Sequence, residues 1–193
     1  MAKFYDEGFN PDDLIIRVSE LLVATADGSD DLIDGVVTEV LALLRERMKM
    51  DVVFVSEFVN DERVFRYVEN PPGNPLVPVG GSDPLEDTWC QRVVDGRLPE
   101  FIPNYADLPA EVKARTPITP FEIGTFLSTP ILLDHGMVYG TLCCLSFSPH
   151  ETVQQRDLRN LKSIAVLLAT KLKRNLAGHP TTLPPAPVTR QPK

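Results

Sequence analysis

The stretch that decides the fold is FLSTPILLDHGMVYGTLCCLSF, residues 126–147. Two apolar segments, 126–133 and 137–147, flank a short polar sequence, DHG. Apolar runs of this length that contain β-branched and aromatic residues predict two antiparallel strands joined by a turn. Both faces of the second strand are largely apolar, which is typical of a central strand covered on both sides. The hairpin therefore predicts the middle of a layered domain.

A second predicted hairpin and three long helices surround this centre. Segments 51–59 and 63–69 are rich in β-branched and aromatic residues and predict two further strands. Apolar residues recur at helical spacing over 11–26, 30–48 and 153–176. Because the first and last helices can pack together on one face of the sheet, this order of elements predicts an α+β fold.

The chain between the hairpins combines a short helix, a short strand and a long connection. Asp83, Pro84 and Glu86 supply a cap, a first-turn proline and a carboxylate, so we expect the third helix to begin there. Segment 100–103 predicts a short strand. Residues 104–125 contain three prolines and no long apolar period. A connection of this length is usually functional or mobile, and we interpret it as a lid.

Composition and charge restrict the possible partners and the compartment. The chain has 193 residues and a formal net charge of −8, which argues against binding to nucleic acid or to an anionic membrane. Its three cysteines, Cys90, Cys143 and Cys144, are odd in number and do not form a disulfide framework. The start has no signal-peptide pattern, and no apolar run approaches the roughly 18 residues of a membrane span. We expect a cytoplasmic protein.

The same patterns divide the chain into three parts. Residues 1–28 are predicted to form an N-terminal helical extension, and residues 29–177 the domain itself. Residues 178–193 contain five prolines and few apolar residues, which is typical of a disordered tail or a linker.

With its neighbours, the hairpin resembles the GAF domain, a small-molecule sensory domain of bacterial signalling proteins. The resemblance lies in DTWCQRVVDGRLPEFIPN (87–104), in FLSTPILLDHGMVYGTLCCLSFSP (126–149) and in the long helix that follows. Gly140 stands where the family usually has a strand glycine. The resemblance covers roughly residues 30 to 176, counted from predicted element boundaries.

The resemblance implies a sheet with the terminal helices on one face and a ligand pocket, closed by the third helix and the lid, on the other. In the family, Tyr139 and every second residue after it on this strand would face the pocket. Strand alternation then assigns Leu142 and Cys144 to the helices. The ligand-binding residues implied in this way are Trp89, Phe101, Phe126, Thr129, Tyr139, Thr141, Cys143 and Leu145.

Candidates for chemistry are few, and we expect no catalytic or metal-binding residues. Adjacent side chains on a strand point to opposite faces, so Cys143 and Cys144 are interpreted as packing residues rather than a redox pair. Residues 103–125 contain neither cysteine nor histidine, which argues against a covalently attached bilin. The three histidines fall in a predicted turn, a loop and the tail, where solvation is more usual than metal binding.

The family also includes enzymes, the free methionine sulfoxide reductases, which carry a reactive cysteine near the strand before the glycine turn. Here that segment, FLSTPILLDHG, has no cysteine, and Cys90 lies on a predicted helix with no partner assigned within reach.

The functional hypothesis is therefore a non-catalytic sensory or regulatory domain. It binds an unknown small molecule or a partner and signals through its terminal helices as a homodimer, towards an output domain or signalling partner. Two alternatives remain open: a GAF-type thiol enzyme, and an interaction module that binds no ligand. No cofactor is assigned.

Overall fold

The computed structural model describes residues 11–24 and 30–178. The helices are α1 (Pro11–Ala24), α2 (Asp30–Met48), α3 (Trp89–Val94), α4 (Ala110–Lys113) and α5 (Gln155–Gly178). The strands are β1 (Val52–Val59), β2 (Glu62–Glu69), β3 (Ser82–Pro84), β4 (Phe101–Ile102), β5 (Thr125–Leu132) and β6 (Val138–Ser146). The predicted tail, apart from Gly178, lies outside the described residues, as do residues 1–10 and 25–29 of the N-terminal part.

The strands form one antiparallel sheet in the order β3-β2-β1-β6-β5-β4. The two predicted hairpins are β1–β2 and β5–β6, and they join through the pairing of β1 with β6. β6 is thus a central strand, as its apolar character on both faces predicted. The predicted α+β fold is confirmed.

The terminal helices α1, α2 and α5 cover one face of this sheet. Their apolar stripes meet inward-facing side chains of β1, β5 and β6 in what we call the helix-side core. Its fully buried members include Val18, Val37, Leu41, Leu44, Val53, Val55, Leu127, Ile131, Leu142, Cys144, Leu161, Ile164 and Leu168. Each such side chain contributes about 1.5–3 kcal/mol through burial, so this layer is a major source of stability.

The other face is covered by α3 and by the connection that we interpreted as a lid. The lid-side core is rich in aromatic residues and includes two cysteines; its members include Phe54, Phe65, Trp89, Cys90, Ile102, Phe126, Cys143 and Leu145. Cys143 and Cys144 therefore lie on opposite faces of β6, as strand alternation predicted.

Two register shifts interrupt that alternation. One lies between Val55 and Ser56 on β1 and the other between Ile131 and Leu132 on β5. Across the second shift, Ile131 pairs with Gly140 and Leu132 with Val138, so no residue of β5 stands opposite Tyr139. Tyr139 consequently packs in the helix-side core. The prediction that it faces the pocket was wrong because it assumed unbroken alternation.

Gly140 is required by the close approach of β1. A Cβ atom built on this residue would lie 1.9 Å from the carbonyl oxygen of Ser56, where no side chain fits. The strand glycine that supports the family resemblance thus has a steric reason.

The third helix begins later than predicted. Asp83 belongs to the edge strand β3, where its backbone pairs with that of Arg63. The Asp83 carboxylate also accepts a hydrogen bond from the Arg63 guanidinium. Thr88 caps α3 instead, because its hydroxyl oxygen accepts from the backbone N–H of Gln91 at 3.2 Å. The ion pair with Arg63 holds Asp83 in the sheet.

Candidate functional site: the lid-side cavity

A cavity of about 250 Å³ lies between the lid face of the sheet and the lid. Its walls are mainly apolar, and the aromatic and aliphatic side chains that line it include Phe54, Phe65, Val77, Trp89, Ile123, Phe126 and Leu145. The polar lining includes Arg63, Ser82, Asp83, Asp87, Thr88, Cys90 and Thr119. An apolar cavity with a few polar groups on one side is the usual form of a small-molecule site.

The lid is attached to the cavity wall by the tryptophan. The indole Nε1–H of Trp89 donates to the carbonyl oxygen of Pro117 at 2.9 Å. Its ring centre lies 5.2 Å from that of Tyr105 on the lid and 5.2 Å from that of Phe126 on β5. Ile118, the next lid residue, lines the cavity and is nevertheless 99% exposed. Trp89 thus joins the lid to the cavity wall, and Phe121 of the lid packs against Phe147 as well.

Arg63 places a shielded positive charge beside the cavity. The side chain is 12% exposed, and its guanidinium carbon lies 3.8 Å from the centre of the Phe65 ring. Nη2 pairs with the carboxylate of Asp83, and Nη1 lies 3.9 Å from the Sγ of Cys90. Nε is buried and has no hydrogen-bond partner among the described residues. A buried donor without a partner is costly, so a ligand oxygen that accepted from it would be stabilised.

A row of small polar side chains lies on the same face of the central strands. The strand register sets Ser56 opposite Thr141 and Ser128 opposite Cys143. The hydroxyl oxygens of Ser56 and Thr141 are 2.9 Å apart, and the Sγ of Cys143 is 3.0 Å from Ser128 Oγ and 3.2 Å from Thr141 Oγ1. All four residues are fully buried. Their hydrogen bonds offset the cost of burying polar atoms in the sheet.

This row ends at a pair of thiols. The Sγ atoms of Cys90 and Cys143 are 3.6 Å apart, although they come from α3 and β6. The contact with the Cys143 thiol, aided by the charge of Arg63, lowers the pKa of Cys90. Burial and the neighbouring Cys90 raise the pKa of Cys143. The sequence assigned Cys90 no partner within reach, and the fold supplies one.

Three of the eight predicted ligand-binding residues line the cavity: Trp89, Phe126 and Leu145. Thr141 and Cys143 lie on the same face, in the polar row.

The other three predicted residues lie towards the helices. Phe101 pairs with Leu127 and packs on the helix-side core, whereas Ile102, its neighbour, takes the lid side. Thr129 alternates with Leu127 and Ile131, both of which belong to the helix-side core, and its hydroxyl donates to Glu100 at 3.3 Å. Tyr139 is displaced by the register shift. The expected approach of these residues to the pocket was wrong because cross-strand neighbours share a face.

Sequence reasoning missed Arg63, Phe65 and Asp83. A partial signal was present, because Arg63 and Phe65 are two residues apart on a predicted strand and therefore share a face. Nothing in the sequence indicated that β3 would bring Asp83 to that face.

Within residues 11–24 and 30–178, no group of three or more histidine, cysteine or acidic residues could hold a metal ion. No helix in these ranges is long and apolar enough to cross a membrane.

Comparison with known proteins identifies relatives of this fold. The family model described as GAF domain matches residues 33–172. The GAF domain of an Acinetobacter phosphoenolpyruvate-protein phosphotransferase is 15% identical with a TM-score of 0.68, over 86% of this chain and 95% of that one. The phycocyanobilin-bound GAF domain of a cyanobacterial phytochrome is 15% identical with a TM-score of 0.66, over 89% and 98%.

The fRMsr of Staphylococcus aureus, in its reduced form, is 14% identical with a TM-score of 0.59, over 86% of this chain and 97% of that one. These identities show a shared fold alone. No curated protein sequence matches this chain.

Proposed function

The chain belongs to the GAF domain family, and from that premise we propose that it is a non-catalytic sensory or regulatory domain. The lid-side cavity binds a small molecule, and the terminal helices α1 and α5 carry the response to a signalling partner or an output domain. The observation that carries this proposal is the cavity of about 250 Å³, with aromatic walls and a buried guanidinium beside it.

The lining defines the class of ligand. Phe54, Phe65, Trp89 and Phe126 offer ring faces and edges to a flat apolar body. Arg63 offers a hydrogen-bond donor, but its charge is already balanced by Asp83. The matching ligand is a small planar molecule with a carbonyl or carboxylate oxygen at one end. The ligand must be small, because this cavity of about 250 Å³ lies below the roughly 300–1,000 Å³ of most ligand cavities.

The response passes through the central strands. β5 and β6 carry cavity residues on one face and helix-side residues on the other, as Phe126 and Leu127 illustrate. α5 packs on this second face, and α1 packs against α5. A ligand can shift the packing of these helices only by its difference in affinity for two arrangements. The lid, attached through Trp89 and Pro117, is the element whose closure would differ between them.

Dimerisation through the terminal helices is part of the proposal. Ile16 and Val23 lie seven residues apart on α1 and are 55% and 72% exposed, and Val166 on α5 is 68% exposed. Aliphatic side chains on the outer helix surfaces support a homodimer. We expect the paired substitutions Ile16→Glu and Val23→Glu to yield monomers in light scattering, with the helical circular dichroism retained. A monomeric parent protein would contradict this part.

The ligand proposal is tested by native mass spectrometry of the purified chain, followed by a thermal-shift screen of small aromatic acids, amides and nucleobases. A ligand present at a hundred times its dissociation constant adds about 2.7 kcal/mol of stability. Arg63→Gln should remove the stabilisation by the ligands that are found. Arg66→Gln is the matched control, because Arg66 lies on the same strand and pairs with Glu57 away from the cavity. No stabilising compound, or equal effects of the two variants, would contradict the proposal.

One observation favours a second candidate, a thiol enzyme, namely the contact between Cys90 and Cys143 beside the cavity. An enzyme of this kind would reduce free methionine sulfoxide with turnover in the presence of a thiol reductant, and Cys90→Ser would abolish that turnover. Cys144→Ser is the control, since Cys144 lies on the other face of β6. The sensor proposal expects no turnover in any of the three proteins.

A further inference from the structure

We propose that Cys90 and Cys143 form an oxidisable dithiol that reacts with a hydroperoxide entering the lid-side cavity and closes to a disulfide between α3 and β6. The inference goes beyond ligand sensing, because it needs no bound ligand and no transmission through the helices. It rests on the position of the two sulfur atoms, on the polar groups around them and on the place of Cys90 in the cavity wall.

The geometry brings two thiols together from elements that are far apart in the sequence. The sulfur atoms are 3.6 Å apart, and a disulfide requires about 2.05 Å, so closure needs a relative displacement of about 1.5 Å. Both residues belong to the lid-side core, at 1% and 0% exposure. α3 has only six residues and is joined to the sheet by loops, so a small shift of this helix can supply the displacement.

The surroundings give the two thiols different roles. Nη1 of Arg63 lies 3.9 Å from the Sγ of Cys90. Contact with the Cys143 thiol and the charge of Arg63 lower the pKa of Cys90, so Cys90 is the group that ionises first. Cys143 is held by the hydroxyls of Ser128 and Thr141 and retains its proton. A thiolate beside a protonated thiol is the arrangement in which one sulfur attacks and the other resolves.

Access is provided by the cavity. Cys90 lines it, between the aromatic wall and Arg63, whereas Cys143 is not part of the lining.

The Cys90 thiolate attacks the terminal oxygen of a hydroperoxide, ROOH. The O–O bond breaks, Cys90 becomes a sulfenic acid, and RO⁻ leaves and takes a proton. The Cys143 sulfur then attacks the Cys90 sulfur, the S–O bond breaks, and the Cys143 proton leaves with the hydroxyl as water. The peroxide is reduced by two electrons, and the two thiols are oxidised to one disulfide.

Cys144 is an internal control for this chemistry. It is fully buried in the helix-side core, and burial raises its pKa, so it stays a protonated thiol away from the cavity. Adjacent positions in the sequence thus carry a sulfur that should react and one that should not.

The first experiment treats the reduced full-length chain with hydrogen peroxide, quenches with acid, denatures the protein and alkylates the remaining thiols for intact-mass analysis. Two of the three thiols should escape alkylation, and dithiothreitol should restore them. Cys144→Ser should lose both of its thiols in the same way. Three alkylated thiols after peroxide treatment, or an equal loss in Cys90→Ser, would overturn the proposal. The measurement on the parent chain does not depend on whether a variant folds.

Two further measurements assign the roles. In Cys143→Ser, the Cys90 sulfenic acid should accumulate and be trapped by dimedone, whereas Cys90→Ser should give no adduct. The oxidation rate of the parent chain should level off below about pH 8.5, the usual pKa of a thiol, because Cys143 and Arg63 lower the pKa of Cys90. Arg63→Gln should slow oxidation several-fold at pH 6.5, and Arg66→Gln should not. A rate that still rises tenfold per pH unit at pH 8, or a dimedone adduct on Cys143 in the parent chain, would overturn the assignment.

Discussion

The two faces of one sheet differ in almost every physical respect. The helix-side core consists of closely packed aliphatic side chains, many of them completely buried, beneath three long helices. The lid side has aromatic rings, buried hydroxyls, two thiols in contact, a shielded guanidinium and a cavity. Both faces are built by the same strands, so neighbouring residues of β6 belong to different environments. The comparison indicates that close packing is concentrated on the helix side, while the proposed binding site lies on the lid side.

The titratable groups of the two faces also differ in their pKa shifts. On the helix side, burial raises the pKa values of Tyr67 and Tyr139, so both phenols stay neutral. On the lid side, Cys143 and Arg63 lower the pKa of Cys90. Burial thus keeps Tyr67, Tyr139 and Cys143 neutral, whereas the contacts of Cys90 favour its ionised form.

The largest expected effect is the loss of unfolding free energy on truncating a leucine, compared between the two faces of the sheet. Leu142→Ala removes a fully buried side chain from the helix-side core and should cost about 2–5 kcal/mol of unfolding free energy. Leu145→Ala on the same strand borders the existing cavity, where fewer contacts are lost, and should cost at least about 1 kcal/mol less. Urea denaturation measures both. Equal costs would break the proposed division between the faces.

A smaller effect is expected at the lid. Trp89→Phe removes the hydrogen bond to Pro117 while it retains an aromatic ring, and should cost about 1 kcal/mol. Amide exchange in residues 114–123 should accelerate about five-fold, since 1 kcal/mol corresponds to that factor. Exchange in α2 and α5 is the control and should stay unchanged. Acceleration in those helices as well would show that the lid does not open separately.

The smallest effect concerns alkaline pH. Tyr139 has a raised pKa in the folded chain and titrates near 10.0 when unfolded, so the unfolded state releases its proton first. Its contribution to stability is complete below pH 10 and declines as the pH rises further. Between pH 10 and 11 the stability of Tyr139→Phe should fall less than that of the parent chain, by up to about 1 kcal/mol. Parallel curves from denaturant titrations would contradict the assigned environment of Tyr139.

Much of this arrangement follows from local patterns in the sequence. Periodicity located the long helices and both hairpins, and strand alternation correctly separated Cys143 from Cys144. Alternation failed at Tyr139, because a register shift depends on how β5 and β6 pair and not on either strand alone. It also failed to find Arg63 as a cavity residue, because its role depends on Asp83, which a short edge strand brings alongside. The contact between Cys90 and Cys143 depends on how α3 packs on the sheet.

Trp89 gives this molecule an intrinsic optical probe. It is the single tryptophan of the chain, and its indole both lines the cavity and donates to the lid. All tryptophan emission therefore originates at one wall of the candidate site. Quenching, spectral shift and anisotropy would report occupancy of the cavity or release of the lid without an added label. Unfolding of α1, which packs on the other face of the sheet, would leave this emission nearly unchanged.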